Sequence, residues 1–114
     1  MTKLLLIVAL WFSTSAIAQT KEFTALKVTP VRIKQMLATC EKEMEAGFCS
    51  VIRDEKNYPP NTPGPVIAGF GRVPLIPYIR LQNQQGAMCP YADYKCSTEP
   101  NGDVCKTALA LWGR

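Results

Sequence analysis

Cysteine is the residue type whose chemistry in this chain is easiest to specify. The 114-residue sequence contains five cysteines and no histidine. The cysteines are Cys40, Cys49, Cys89, Cys96 and Cys105. Protein zinc sites use CxxC pairs or combine cysteine with histidine, and this chain offers neither. The spacing therefore favours disulfide bonds over a metal site, and no metal and no cofactor are predicted.

An odd number of cysteines leaves one without an intrachain partner. Sequence alone does not fix the pairing of the other four, so we expect two bridges of open connectivity. A Cys40–Cys49 bridge would need a bend near Gly47, because in one unbroken helix the two residues lie about 13 Å apart. That distance exceeds the limit of roughly 7 Å between bridged Cα atoms. The leftover thiol is buried, reactive or paired with another chain, which would make a disulfide-linked dimer.

Catalysis finds little support in the residue types. Without histidine, no side chain naturally titrates near neutral pH, and neither a Ser-His nor a Cys-His nucleophile pair exists. A thiol-disulfide oxidoreductase would lack its CxxC pair. Carboxylates near predicted turns ordinarily bind backbone N–H groups: Asp54, Glu55, Asp93, Glu99 and Asp103. We predict that the protein is not an enzyme, with a carboxylate pair of Asp54 or Glu55 and Asp93 as the catalytic alternative.

The first 18 residues have the pattern of a secretory signal peptide. Lys3 precedes an unbroken apolar run over residues 4–12, and residues 16–18 read Ala-Ile-Ala, the small-x-small pattern of a cleavage site. A retained membrane anchor would need about twenty apolar residues, and the run is roughly half of that. We predict cleavage after Ala18, a mature protein without a membrane span, and a periplasmic or secreted location.

The mature chain, residues 19–114, has the size of one domain. At this length disulfides commonly supplement the hydrophobic core. Once Lys3 is removed, twelve basic and nine acidic residues leave a net charge of +3, dispersed along the chain. Because no Lys/Arg cluster occurs, nucleic acid is not a predicted partner. The predicted organisation is a flexible lead over residues 19–28 and a single disulfide-linked domain over residues 29–114.

The clearest predicted helix covers residues 30–46. Its apolar side chains recur at steps of four, three and four and share one helical face: Ile33, Leu37, Cys40 and Met44. Thr29 suits the N-cap, Pro30 the first helical position, and Gly47 the left-handed position that ends a helix. Residues 48–55 are either a short second helix or a continuation of the first.

Four prolines interrupt residues 57–65, which we expect to connect two halves of the domain. The alternative is a PxxP ligand over residues 60–63. The next stretch, residues 66–81, is apolar but broken by glycine and proline. We predict a helix over residues 77–85 ended by Gly86, and the alternative is a hairpin that turns near residues 83–86.

The C-terminal region predicts a turn at residues 100–102, a cap from Asp103 and a helix over residues 104–112 ended by Gly113. On that helix Cys105, Ala108 or Leu109, and Trp112 share a face. The predicted fold is a small, disulfide-stabilised, mainly α domain of two to four short helices with a Pro/Gly-rich middle. The alternative is an α+β domain with a hairpin within residues 66–89.

By exclusion, these features favour protein binding as the function. The predicted module is an inhibitor or immunity-type partner of another protein; the alternatives are an accessory subunit of a bacterial cell-envelope secretion or conjugation assembly, and a secreted effector or toxin. Prolines hold a loop in shape, and aromatic rings supply contact area with few rotatable bonds. The predicted recognition edge therefore combines the proline-rich loop with two aromatic residues: Tyr58, Pro60, Pro63, Phe70 and Tyr78. The alternative is that Phe70 and Tyr78 are core residues.

Overall fold

A computed structural model describes residues 23–48 and 51–114. Within these residues the elements are α1 (Pro30–Glu45), a one-turn 3₁₀ helix (Glu55–Asn57), β1 (Pro63–Ile67), β2 (Gly71–Pro74), α2 (Leu75–Gln82), α3 (Met88–Thr98) and α4 (Asp103–Trp112). The prediction of a mainly helical, disulfide-linked fold is confirmed. The predicted signal segment and Cys49 lie outside the described residues. Among the described helices, none combines the length and apolar character that crossing a membrane requires.

Helix α1 has the ends that its sequence predicts. The Thr29 hydroxyl accepts the backbone N–H of Arg32 at 3.2 Å, Pro30 occupies the first turn, and Gly47 has a φ of 91° just after the helix. Three residues of the predicted apolar face are partly buried against the core: Ile33, Leu37 and Met44. Cys40 and Met36 are fully buried, so the buried face is wider than predicted and includes Met36.

The middle of the chain contains both a hairpin and a helix, which the sequence had presented as alternatives. Strands β1 and β2 pair antiparallel, with Val66 opposite Arg72 and Ile67 opposite Gly71. The turn lies at residues 68–70, so the expectation of a turn near residues 83–86 is wrong. Prolines are tolerated in both strands because each strand of a two-stranded sheet has an open edge. Helix α2 begins at Leu75, two residues before Pro77, since a proline in the first turn removes no helical hydrogen bond.

Two C-terminal helices complete the domain. Helix α3 covers a cysteine-containing segment for which no element was predicted, and its residues Cys89, Ala92 and Cys96 are buried. Helix α4 starts at Asp103, and its N-cap is Gly102 with no side-chain cap hydrogen bond, so the predicted capping role of Asp103 is wrong. The predicted buried face of α4 is confirmed: Cys105, Ala108, Leu109 and Trp112.

Disulfide bonds join the three helices that form most of the core. Cys40 of α1 pairs with Cys89 of α3, with 5.9 Å between the Cα atoms, and Cys96 of α3 pairs with Cys105 of α4, with 4.8 Å. All four cysteines belong to the buried apolar cluster, and α1 packs on both α3 and α4. The prediction of two bridges among the cysteines is confirmed. Such bridges are compatible with an extracellular or periplasmic protein.

Two segments without regular secondary structure, residues 23–28 before α1 and residues 51–54 after it, complete the described chain. In the N-terminal lead, which the sequence predicted to be flexible, Leu26 and Val28 pack partly buried against the core, and the Thr24 N–H donates to the Phe70 carbonyl at 2.8 Å. After α1, residues 51–54 are not helical, so neither predicted form of a helix over residues 48–55 is found there. The chain instead reaches the 3₁₀ turn, where the Asp54 carboxylate accepts the backbone N–H of Lys56 at 3.0 Å.

Candidate protein-binding cleft

The cleft with the clearest combination of apolar and polar groups lies where the helices meet the first strand. It has a volume of about 200 Å³, and β1 and all four helices supply side chains to it. Aliphatic and thioether side chains form its walls: Ile67, Leu81, Met88 and Leu111. Leu81 and Met88 are also part of the buried core, so these walls are held in place by packing. This arrangement suits an apolar group that inserts from outside.

A carboxylate is fixed on one side of the cleft. Glu43, near the end of α1, accepts a hydrogen bond from the indole N–H of Trp112 at 2.6 Å. Trp112 is only 4% exposed, so this bond satisfies a polar atom that burial removes from water. The same bond connects residues 69 positions apart in sequence, at the ends of α1 and α4. Both Glu43 and Trp112 line the cleft, which therefore carries a negative charge at a defined position.

A guanidinium group is fixed elsewhere on the lining. Arg114 donates from Nη1 to the Ala68 carbonyl at 2.6 Å, and its guanidinium lies over the Phe70 ring, 5.5 Å from the ring centre. A cation at this distance over an aromatic face is attracted by the negative charge density of the ring. These two contacts direct Arg114 toward the hairpin turn. The cleft thus has one side chain of each charge sign, and each is held by contacts within the fold.

Gln82 contributes an amide to the lining of the cleft. Gln82 is 6% exposed, and its Nε2 donates to the Tyr78 hydroxyl at 3.0 Å, one helical turn earlier on α2. Its Oε1 is buried and has no hydrogen-bond donor among the residues that the structure describes. Buried side-chain oxygens nearly always have a partner in folded proteins. Among the described residues that line the cleft, Gln82 is thus the buried polar side chain whose hydrogen bonding is incomplete.

Exposed apolar side chains precede and follow the gap in the described chain next to this cleft. Phe48 lines the cleft and is 36% exposed, while Val51 and Ile52 are 56% and 57% exposed. The backbone of the next residue, Arg53, is fixed by Asn83: its N–H donates to Oδ1 at 3.0 Å, and its carbonyl accepts from Nδ2 at 2.9 Å. The apolar residues therefore lie on a segment whose continuation is attached to the end of α2.

The residues of the predicted recognition edge lie in two regions. Tyr78 lines the cleft, and Phe70 supports Arg114 at its margin; both are partly buried. Pro60 instead lines a second cleft of about 250 Å³. Pro63 belongs to β1 opposite Pro74, and Tyr58 follows the 3₁₀ turn with 37% exposure. Tyr78 and Arg114 line the same cleft, and Arg114 contacts Phe70, whereas Pro60 lines a different cleft. The binding role of all five residues stays a prediction.

The second cleft has a mixed charge, and among the described residues that line it no buried side-chain polar atom lacks a partner. Arg80, Lys95, Glu99 and Asp103 supply its charged lining. Arg80 also donates to Glu55 from Nε at 2.9 Å, and this hydrogen bond is the main reason that the pKa of its guanidinium is raised above the usual value. Lys95 contacts Glu99 at 3.3 Å. Three of the four charged side chains are therefore engaged: Lys95 and Glu99 with each other, and Arg80 with Glu55, which does not line this cleft. The first cleft is the better candidate.

Neither a family model nor a comparison with curated proteins or solved structures gives a significant match to this chain. Within residues 23–48 and 51–114, no group of three or more Cys, Asp or Glu side chains is arranged to hold a metal ion. Fold and site together define a class, a small helical domain with two disulfides and a lined cleft. The function has to be argued from the cleft itself.

Sequence reasoning missed most residues of the cleft. No role was predicted for Glu43, Gln82 or Arg114, and Trp112 was predicted only to share a helical face with Cys105. The spacing of Tyr78 and Gln82 is a usable signal, since residues four apart face the same side of a helix. The Glu43–Trp112 contact gives no such signal, because it depends on how α1 and α4 pack.

Proposed function

We propose that the protein is an exported, non-catalytic module that binds another protein, as an inhibitor or immunity-type partner does. The observation that supports this proposal is the cleft with apolar walls and two fixed charges, flanked by exposed Phe48. Protein interfaces are rich in aromatic residues, methionine and arginine, and their energy is concentrated in a few side chains that enter preformed pockets. A cleft whose walls are already packed loses little conformational freedom on binding. Export is supported by the signal-like residues 1–18 and by the two disulfides.

The proposal is tested by a matched pair of exposed aromatic residues. Phe48 lines the cleft and is 36% exposed, whereas Tyr94 lies on α3, does not line the cleft and is 60% exposed. A protein captured on the immobilised, oxidised chain is purified, and its affinity is measured by calorimetry for the wild type, Phe48→Ala and Tyr94→Ala. We expect Phe48→Ala to weaken the complex at least about fivefold, the minimum for a side chain that contributes about 1 kcal/mol. Tyr94→Ala should leave the affinity within twofold.

Thermal unfolding of both variants is the folding control. Because both side chains are substantially exposed, neither substitution should lower the melting temperature by more than a few degrees. Equal affinity of Phe48→Ala and wild type for the partner, with both proteins folded, would contradict the assignment of the interface to this cleft.

A further inference from the structure

Gln82 carries the strongest unexplained observation in the cleft. Its side chain is more than nine-tenths buried, yet its Oε1 accepts no hydrogen bond from the described residues. An oxygen buried in this way sacrifices its hydrogen bond to water without a replacement. Replacing the side chain by an apolar one of similar size would avoid that loss. A glutamine that lines an apolar cleft with an unused acceptor is therefore explained most directly by a ligand that supplies the donor.

The size of the cleft limits what that ligand is. Pockets for drug-sized ligands and cofactors span about 300–1,000 Å³, and this cleft has about 200 Å³. The volume suits one large side chain of a partner protein better than a complete cofactor. Apolar walls at Leu81, Met88 and Leu111 require that most of this side chain be apolar. The unused oxygen requires that it also carry an N–H or O–H donor.

Tryptophan meets these requirements. Its indole is a large apolar ring with a single polar atom, an N–H that donates and does not accept. Among interface residues it is also one of those most often found to dominate binding energy. The nearby charges of Glu43 and Arg114 would then face polar or charged residues next to the inserted ring, as in the polar rim of known interfaces.

We infer that the cleft receives a tryptophan side chain of the partner protein, whose indole N–H donates to Gln82 Oε1. The inference rests on the proposed function and identifies the chemistry of its partner. Since Oε1 is closed off from solvent by its surroundings, the donor reaches it after a rotation of the Gln82 amide. The terminal torsion of glutamine is broad, so the main cost of this rotation is the Nε2 hydrogen bond to the Tyr78 hydroxyl that it breaks.

The test compares two soluble probes that differ in one ring atom. N-acetyltryptophanamide carries the indole N–H, and N-acetyl-3-benzothienylalaninamide replaces it by sulfur, which donates no hydrogen bond. Each probe is titrated into the purified, oxidised, ¹⁵N-labelled protein and followed by NMR. We expect saturable shifts at the Gln82 side-chain amide and at the Trp112 indole N–H. The tryptophan probe should bind at least fivefold more tightly, which corresponds to about 1 kcal/mol.

A substitution at Gln82 removes the acceptor. Gln82→Leu keeps the approximate size of the side chain and removes the oxygen together with the Nε2 donor to the Tyr78 hydroxyl. Because one unused acceptor and one hydrogen bond are lost together, the melting temperature should change little. In this variant the two probes should bind with affinities within twofold of each other. Equal affinities in the wild type, shifts confined to other surfaces, or no saturable shift up to the solubility limit would each overturn the inference. If Gln82→Leu does not fold, the comparison of probes on the wild type still decides.

The result separates this inference from the proposed function. If the wild type does not distinguish the probes while Phe48→Ala still weakens the partner complex, the tryptophan inference is wrong and protein binding at the cleft stands. If the probes behave as expected while Phe48→Ala leaves partner affinity unchanged, the cleft binds indole but is not the interface.

Discussion

The helical region and the hairpin region of this domain are held together by different means. Helices α1, α3 and α4 are joined by Cys40–Cys89 and Cys96–Cys105, and their apolar faces form the core. The hairpin and α2 contain no bridge within the described residues. In the hairpin the backbone at Gly64 lies close to that of Val73 and Leu75. Helix α2 is attached to the segment before the hairpin by polar contacts, such as the paired hydrogen bonds between Asn83 and Arg53. In the first region the bridges add to the apolar core by restricting the unfolded chain, whereas the second region depends on local fit.

The cleft lies between the two regions and takes lining residues from both. Trp112, Glu43 and Met88 come from the bridged helices, while Ile67, Tyr78 and Gln82 come from the hairpin and α2. One side of the cleft is therefore fixed by covalently joined helices, and another by elements without a bridge. Substitutions in the two regions should differ in size and in character.

The largest effect is expected from loss of the Cys40–Cys89 bridge. It closes a loop with a sequence separation of 49, against 9 for Cys96–Cys105. Chain-entropy estimates for these separations give about 4 and about 2.5 kcal/mol. We expect urea unfolding to show a greater loss of stability for the double variant Cys40→Ala/Cys89→Ala than for Cys96→Ala/Cys105→Ala.

Thiol counting is the control for this experiment. Alkylation of the denatured, unreduced wild type should add one label per chain, and each double variant should also take one, because the other bridge remains. Five labels on the wild type would contradict the disulfide bonds. Equal stability losses in the two variants would show that loop length does not set the contribution of each bridge.

An intermediate effect is expected at Gly64 in β1. A Cβ built at this position would lie 2.6 Å from the carbonyl oxygen of Val73 and 3.1 Å from the Cα of Leu75, both of them backbone atoms. The backbone of β2 or of the start of α2 must therefore move in Gly64→Ala. Overpacking of this kind costs about 1–3 kcal/mol, which lowers the melting temperature by several degrees in a domain of this size.

Gly69→Ala in the same hairpin is the contrast. Nothing lies within 4 Å of a Cβ at Gly69, but its φ of 87° strains any residue with a side chain. In NMR spectra, the amide chemical-shift changes caused by Gly69→Ala should stay near the turn, whereas those caused by Gly64→Ala should extend to Val73 and Leu75. A Gly64→Ala protein with wild-type stability and no chemical-shift change at Val73 would show that the space between Gly64 and the Val73 backbone accommodates a methyl group.

The regions also differ in how far the sequence predicts them. Helices α1 and α4 were predicted because their ends are marked by Pro30, Gly47 and Gly113, and because their apolar residues recur with helical spacing. Helix α3 was missed because Ala87 at its N-cap gives no capping hydrogen bond and its apolar residues are not confined to one side. The hairpin was misplaced because proline disfavours a strand with neighbours on both sides. In a two-stranded sheet each strand has an open edge, where proline is tolerated.

The cleft was the least predictable part. Its polar contacts connect residues far apart in sequence, such as Glu43 and Trp112, and sequence periodicity describes only neighbours within one element. The unused acceptor of Gln82 depends on which side chains surround it after folding. Residue types alone led to the prediction of a binding protein, but the position of the proposed binding surface depends on the packing of α1 against α4.

The smallest effect is expected from the Arg80–Glu55 ion pair, which attaches α2 to the 3₁₀ turn. Its side chains are 51% and 38% exposed, so solvent screens most of the attraction. We expect a double-mutant cycle of Arg80→Gln and Glu55→Gln to give a coupling below about 1 kcal/mol, smaller still at high salt. Because the pKa of Arg80 is raised by this contact, its contribution is present at every pH below the ordinary arginine value and is lost only as the pH rises through the higher folded value. Because Arg80 stays charged over about pH 6–9, the coupling free energy of the pair should not change with pH in this range. A coupling above about 2 kcal/mol would mean that the hairpin region relies on charge as strongly as the helical region relies on its shorter disulfide.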